Sequence, residues 1–125
     1  MGKRVHVVKK QEQYGNSEAF NWSFEEFHSL LDLLGCEVCA EDEYADRFEC
    51  LSDNYRNALD CLKRYKKIGM KSRKMKALMD ELGFDEEELT YYLAKLGEID
   101  YVIQSMQRFW EERDKKSSYI QFVAW

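Results

Sequence analysis

Apolar residues recur along most of the chain at intervals of three and four, the spacing of one face of an α-helix. Over residues 41–67 this spacing predicts a long helix, whose inward seam is Tyr44, Phe48, Leu51, Tyr55, Ala58, Leu62 and Tyr65. The same spacing from Leu89 to Trp110 predicts a second long helix, in which Gly97 marks a kink or a break. Two long helices with matched seams pack most simply against each other in antiparallel orientation.

Start and stop signals locate the remaining helices. Ser23, with an acidic residue three positions later, forms a capping box for a first helix that Gly35 would end. Asp85 repeats the start signal ahead of the second long helix, and apolar residues at helical spacing predict a short helix over residues 72–82. The interior of the chain is therefore predicted to be helical.

The two ends of the chain follow a different pattern. Residues 4–8 and 119–125 are rich in β-branched and aromatic side chains, which favour strands. An isolated terminal strand needs a partner, and the strand at the other end of the chain is the most readily available one. The sequence predicts an α+β fold that is mostly α, with a four-helix core and a small two-stranded sheet formed by the chain termini. We expect a single domain over residues 1–125, and a homodimer through the free edges of the terminal strands is a further expectation.

Composition and charge narrow the class of protein. Apolar residues make up 45% and aromatic residues 14% of the 125 positions, enough for a packed core without a metal or a disulfide. The formal net charge of -5 disfavours nucleic acid as a partner and favours basic partners. The chain has neither a secretory signal nor an apolar run of about 18 residues, so we expect a soluble cytoplasmic protein with no membrane partner and with reduced cysteines.

The string Cys36-Glu37-Val38-Cys39 is the strongest chemical motif, because C-x-x-C occurs both in zinc sites and in redox pairs. Cys50 and Cys61 are eleven residues apart on the predicted second helix, roughly 16 Å along its axis, so they could not both bind one ion with that pair. The chain contains no proline, whereas a thioredoxin-type pair faces a cis-proline. We therefore predict no metal and no cofactor, with the thiols packed between the first two helices.

No pattern in the sequence selects a catalytic site. The acidic residues lie mainly on predicted exposed faces, and six scattered glycines do not form a phosphate-binding loop. His28 borders the apolar stripe of the first helix, where a structural histidine is expected. The sequence therefore predicts that the protein is not an enzyme, with no catalytic residues.

Residues 75–92 resemble a helix-turn-helix unit, on the evidence of Leu78, Leu82, Gly83, Phe84, Leu89 and Tyr92. The resemblance implies a nucleic-acid-binding regulator, and its binding would depend on Lys71, Arg73 and Lys74 within the basic block 63–76. In that family the second helix enters the major groove by its amino-terminal end. Here that end reads Asp85-Glu86-Glu87-Glu88, so carboxylates would face the phosphates.

The leading functional prediction is a small non-enzymatic protein-binding module, acting as an inhibitor or adaptor through an acidic, Tyr-rich surface. Tyr14, in a polar segment after the first strand, and the acidic run Glu41, Asp42 and Glu43 are the predicted partner-binding residues. The partner would be another protein. The nucleic-acid-binding regulator is the alternative.

Overall fold

The structure, a computed structural model, describes residues 4–10, 13–20, 23–40, 47–68, 73–82 and 86–124. The elements follow in the order β1 (Val5–Lys10), β2 (Gln13–Ala19), α1 (Phe24–Leu33), β3 (Val38–Ala40), β4 (Arg47–Leu51), α2 (Ser52–Ile68), α3 (Arg73–Leu82), α4 (Glu86–Lys95), α5 (Ile99–Glu112) and β5 (Tyr119–Ala124).

The strands form one five-stranded antiparallel sheet in the order β2-β1-β5-β4-β3. The first and last strands pair with each other as predicted, with Val5 opposite Ala124 and Val7 opposite Phe122. The predicted fold, a two-stranded sheet on a four-helix core, is wrong because each terminal strand also pairs through its other edge. Since β1 and β5 both lie inside the sheet, neither has a free edge for the expected homodimer.

The predicted long helix over residues 41–67 is wrong over residues 47–51. Residues 47–51 form β4, and α2 begins only at Ser52. Phe48 is buried in the sheet, but Leu51, predicted to lie in the helical seam, is 43% exposed. The remaining seam positions on α2 pack inward as predicted; Tyr55, Ala58 and Leu62 are buried and Tyr65 lies against the core. Tyr44 lies outside the described residues.

Two helices end in turns that require glycine. After α1, the Gly35 N–H donates to the Asp32 carbonyl and the Cys36 N–H to the Leu31 carbonyl, which is the hydrogen-bond pattern of a Schellman motif. The same pattern ends α4 around Gly97, so the predicted break there is confirmed and α5 begins as a separate helix. Both glycines have positive φ, +82° and +101°, a conformation that costs other L-residues about 1–2 kcal/mol.

The predicted start of α1 is confirmed in position, but the predicted capping hydrogen bond of Ser23 is not formed. Ser23 occupies the N-cap, yet its side chain makes no capping bond to the helix. Its hydroxyl instead donates to the Lys95 carbonyl, 3.3 Å away, at the end of α4. The second start signal, at Phe84 and Asp85, lies outside the described residues, as does the expected turn at Gly83.

The core lies between one face of the sheet and the helices α1, α2 and α5. Phe122 is at its centre, within 5.1–5.5 Å, centroid to centroid, of the rings of Phe27, Phe48, Tyr55 and Phe109.

The antiparallel pairing of the two long seams is confirmed for α2 and α5. The buried Tyr55 hydroxyl donates to the Met106 carbonyl at 2.8 Å, and Lys66, eleven residues later, forms an ion pair with Asp100. Among the described helices, none is long and apolar enough to cross a membrane.

Candidate protein-binding face of the sheet

The sheet has two chemically different faces. Alternation along β4 buries Phe48 and Cys50 and leaves Arg47 and Leu51 exposed. The rings that α1, α2 and α5 contribute to the core contact Phe48 and Phe122, so these helices cover one face, here called the inner face. The side chains between those positions point to the opposite, outer face.

At one end of the outer face, side chains of β3, β4 and β5 form a patch that we call the outer patch: Cys39, Glu49, Leu51, Tyr119 and Gln121. Leu51 lies directly opposite Tyr119, and Glu49 lies opposite both Gln121 and Cys39. The Gln121 amide donates to a Glu49 carboxylate oxygen at 3.0 Å. Leu51 and Tyr119 are 43% and 44% exposed, so the patch combines an apolar cross-strand pair with an adjacent polar row.

The other end of the outer face is closed. His6 and Val123 face each other across β1 and β5, and both are 7% exposed. Burial lowers the pKa of His6; the Glu18 carboxylate opposes this shift, and the Arg4 guanidinium reinforces it. Arg4 and Glu18 are themselves an exposed ion pair. This end therefore favours a neutral imidazole, and neither His6 nor Val123 is exposed to a partner.

Of the predicted partner-binding residues, only Tyr14 lies within the part of the chain that the structure describes. The backbone of Tyr14 lies in β2, opposite Val8, at one edge of the sheet. Glu41, Asp42 and Glu43 lie outside the described residues, between β3 and β4 in the sequence. Since β2 and β3 are the two edge strands, their backbones are about 19 Å apart at the usual spacing of 4.7–4.9 Å per strand.

The structure describes two of the three basic residues of the nucleic-acid alternative, both at the start of α3. Arg73 is exposed at the first position of the helix, Lys74 follows it, and Lys71 lies outside the described residues. The first turn of α4 is made of three exposed glutamates, and Glu86 accepts a hydrogen bond of 2.8 Å from the Tyr65 hydroxyl on α2. The helix end that would enter a groove thus carries negative charge and is tied to α2.

The cysteines are arranged differently from the prediction. Cys50 is on β4 and not on a helix with Cys61. Hydrogen bonding to Cys36, with burial second, raises the pKa of the Cys50 thiol. Cys36, Cys50 and Cys61 are buried as predicted for packing thiols, whereas Cys39 is exposed on the outer face. Among the described residues, no three His, Cys, Asp or Glu side chains are grouped to hold a metal ion.

Two further features, the His28–Asp32 pair and a groove between α2 and α5, carry polar side chains that could take part in binding or catalysis. His28 is partly exposed, with Nδ1 3.6 Å from an Asp32 carboxylate oxygen and its ring edge-on to Phe48. The other Asp32 oxygen accepts the backbone N–H of Val38 at 3.3 Å, so this carboxylate anchors β3. A shallow, open groove of about 490 Å³ between α2 and α5 is lined by Lys63, Ile103, Gln104, Gln107, Arg108 and Glu111. Neither feature pairs a nucleophile with a base.

Comparisons of the chain with known protein families, curated proteins and solved structures give no match. Sequence reasoning missed the outer patch, since it assigned Leu51 to a helical seam and paired the strand of Tyr119 only with the first strand. The available signal was the alternation of polar and apolar residues in Arg47-Phe48-Glu49-Cys50.

Proposed function

We propose that the protein is a non-enzymatic protein-binding module, an inhibitor or an adaptor, whose partner docks on the outer patch. The observation that carries the proposal is the exposure of Leu51 and Tyr119 as a directly opposed pair on the outer face. Only four large hydrophobic side chains are exposed among the described residues, and these two are neighbours.

The shape and chemistry of the patch favour a protein partner over a small molecule. Small-molecule sites are concave and bury most of the ligand surface, whereas the outer patch is an open sheet surface. Tyrosine is enriched among residues that dominate protein interfaces, because its ring buries apolar area while its hydroxyl finds a polar partner. The Glu49–Gln121 pair supplies a polar rim beside the apolar pair.

The acidic, Tyr-rich surface predicted at Tyr14, Glu41, Asp42 and Glu43 remains part of the proposal. The acidic run lies between β3 and β4 in the sequence, and both of these strands contribute to the outer patch. A basic region on the partner would complement it. A cytoplasmic location is also proposed, since four free thiols are typical of proteins in a reducing compartment.

The test is capture of partners from a lysate of the source cells, with and without nuclease, read by mass spectrometry. We expect the double substitution Leu51→Ala and Tyr119→Ala to abolish capture of the main partner. Tyr91→Ala is the matched control, because Tyr91 is 56% exposed but lies on α4. Circular dichroism and a thermal melt verify that each variant is folded.

Three outcomes discriminate between the alternatives. Equal capture by the double variant and the Tyr91→Ala control would refute docking on the outer patch. Loss of capture on neutralising Glu41, Asp42 and Glu43 would assign the acidic run to the interface. Capture that disappears with nuclease, or on neutralising Lys71, Arg73 and Lys74, would support the nucleic-acid-binding regulator.

A further inference from the structure

The groove between α2 and α5 lies on the opposite side of the fold from the outer patch. Phe109, on the buried side of α5, contacts Phe122 on the inner face of the sheet. Gln104, Arg108 and Glu111 line the groove from the exposed side of the same helix. The groove therefore opens away from the sheet, and a molecule seated in it would leave the outer patch accessible.

The charge of the groove is reversed relative to that of the whole chain. The chain has a formal net charge of -5, but the described residues that line the groove include two cations, Lys63 and Arg108, and one carboxylate, Glu111. All three side chains belong to exposed residues. A guanidinium group binds a carboxylate through two parallel N–H bonds, and an ammonium group adds a second positive charge. The groove thus complements an acidic group on a ligand.

Hydrogen bonds across the groove hold its polar side chains in place. Lys63 Nζ on α2 donates to Gln107 Oε1 on α5 at 2.7 Å, and Gln107 Nε2 donates to Glu111 Oε1 at 3.2 Å. An ammonium group has three N–H donors, so Lys63 can keep its bond to Gln107 and still donate to a ligand. The Glu111 carboxylate is held by the Gln107 amide, at the next turn of α5.

We propose that this groove binds an acidic segment of a second protein, whose carboxylate contacts Lys63 and Arg108 while an apolar side chain packs on Ile103. Ile103 is partly buried against the core and supplies apolar lining. The groove is shallow and open, whereas a small-molecule site encloses most of its ligand. Because the groove and the outer patch lie on opposite sides, the module would act as an adaptor. Only this adaptor role rests on the proposed function.

The experiment pans a displayed library of random short peptides against the full chain. A counter-selection removes every peptide that also binds a variant carrying Lys63→Gln and Arg108→Gln. The retained peptides must still bind a control variant with Arg64→Gln and Lys67→Gln, which loses the same charge at exposed positions of α2 outside the groove lining. We expect the retained peptides to combine Asp or Glu with apolar residues.

Fluorescence anisotropy then measures the dissociation constant of a retained peptide. Lys63→Gln with Arg108→Gln should weaken binding by roughly five- to thirty-fold, the effect of losing two exposed ion pairs. Glu111→Gln keeps an acceptor for the Gln107 amide but removes a negative charge, so it should tighten binding. The outer-patch double variant should bind the peptide as the wild type does, so a failure of the proposed function would not affect this result.

Heteronuclear NMR of the wild-type chain locates the bound peptide without any variant. The side-chain amide signals of Gln104 and Gln107 should shift as the peptide is added. The proposal is overturned if no peptide passes the selection, if the retained peptides lack acidic residues, or if both amide signals stay unmoved. Equal affinity for N-acetylglutamate alone would assign the groove to a small carboxylate and would also overturn it.

Discussion

Replacing Phe122 with alanine tests the packing of the core most directly. The side chain is fully buried and lies within 5.1–5.5 Å, centroid to centroid, of four aromatic rings. Removing a buried phenylalanine side chain costs about 3–5 kcal/mol, since both its transfer free energy and the surrounding contacts are lost. Domains are stable by only about 5–15 kcal/mol, so Phe122→Ala should remove a large part of the free energy of unfolding.

Urea unfolding followed by tryptophan fluorescence measures this loss. Trp110 is a suitable reporter, because its ring stacks on that of Tyr55 with a centroid separation of 6.2 Å. We expect a lower urea midpoint with an unchanged slope, and a decrease in Tm of roughly 12–20 °C for a chain of this length. The control is Tyr119→Ala on the same strand, whose half-exposed ring should contribute less than about 1 kcal/mol.

Equal losses for the two variants would contradict the assignment of Phe122 to the inner face and Tyr119 to the outer face. A loss below about 1 kcal/mol for Phe122→Ala would show that the ring is not at the centre of the core.

Four other outcomes are expected. In urea unfolding, Leu51→Ala should lower the free energy of unfolding by less than about 1 kcal/mol. Met106 is buried, so Met106→Ala should lower it by about 2–5 kcal/mol. A larger loss for Leu51→Ala than for Met106→Ala would show that Leu51 is part of the core. Gly97→Ala should cost about 1–2 kcal/mol in a thermal melt, because φ is +101° and the new Cβ would lie 2.9 Å from Tyr101 Cδ1; an unchanged Tm would contradict the need for glycine. The pKa of His6 is lowered on folding, so the unfolded chain binds the proton more readily. Stability that is present at neutral pH is therefore lost as pH falls below about 6.5. His6→Gln should reduce this loss in urea midpoints measured between about pH 5 and 7.5, and equal pH dependence of the variant and the wild-type midpoints would refute the prediction. Elemental analysis of protein purified without added metal should find no stoichiometric zinc and EDTA should leave Tm unchanged; one zinc per chain would contradict this.

Local signals in the sequence were sufficient to predict elements that can be recognised without knowing which other segment they pack against or pair with. The capping position at Ser23, the glycine ends at Gly35 and Gly97, and the apolar seam of α5 follow from helix geometry alone. The terminal strands were also predictable, since residues 4–8 and 119–125 have strong strand propensity. Their mutual pairing was predicted because no other strand was recognised in the sequence, although β1 also pairs with β2 and β5 with β4.

The interior strands were not predictable in the same way. In β4, Phe48 and Leu51 fit a helical spacing while Phe48 and Cys50 fit a strand spacing, so the local pattern allows both. Pairing with β5, about seventy residues away, decides between them. The polar sequence of β2 gives little strand signal, and its pairing with β1 determines its conformation. The outer patch depends on the same distant pairing, because only the β4–β5 register exposes Leu51 beside Tyr119.

The pairing of β1 with β5 also determines how the fold would respond to mechanical load. Val5 lies opposite Ala124, so tension applied at these two residues would act across the end of an antiparallel ladder. Such a load would break the hydrogen bonds of the ladder one after another from that end, in the unzipping geometry. In the shear geometry, by contrast, all the hydrogen bonds bear the load at once. The sheet would therefore yield at low force from its centre, separating β2-β1 from β5-β4-β3 and exposing Phe122 early.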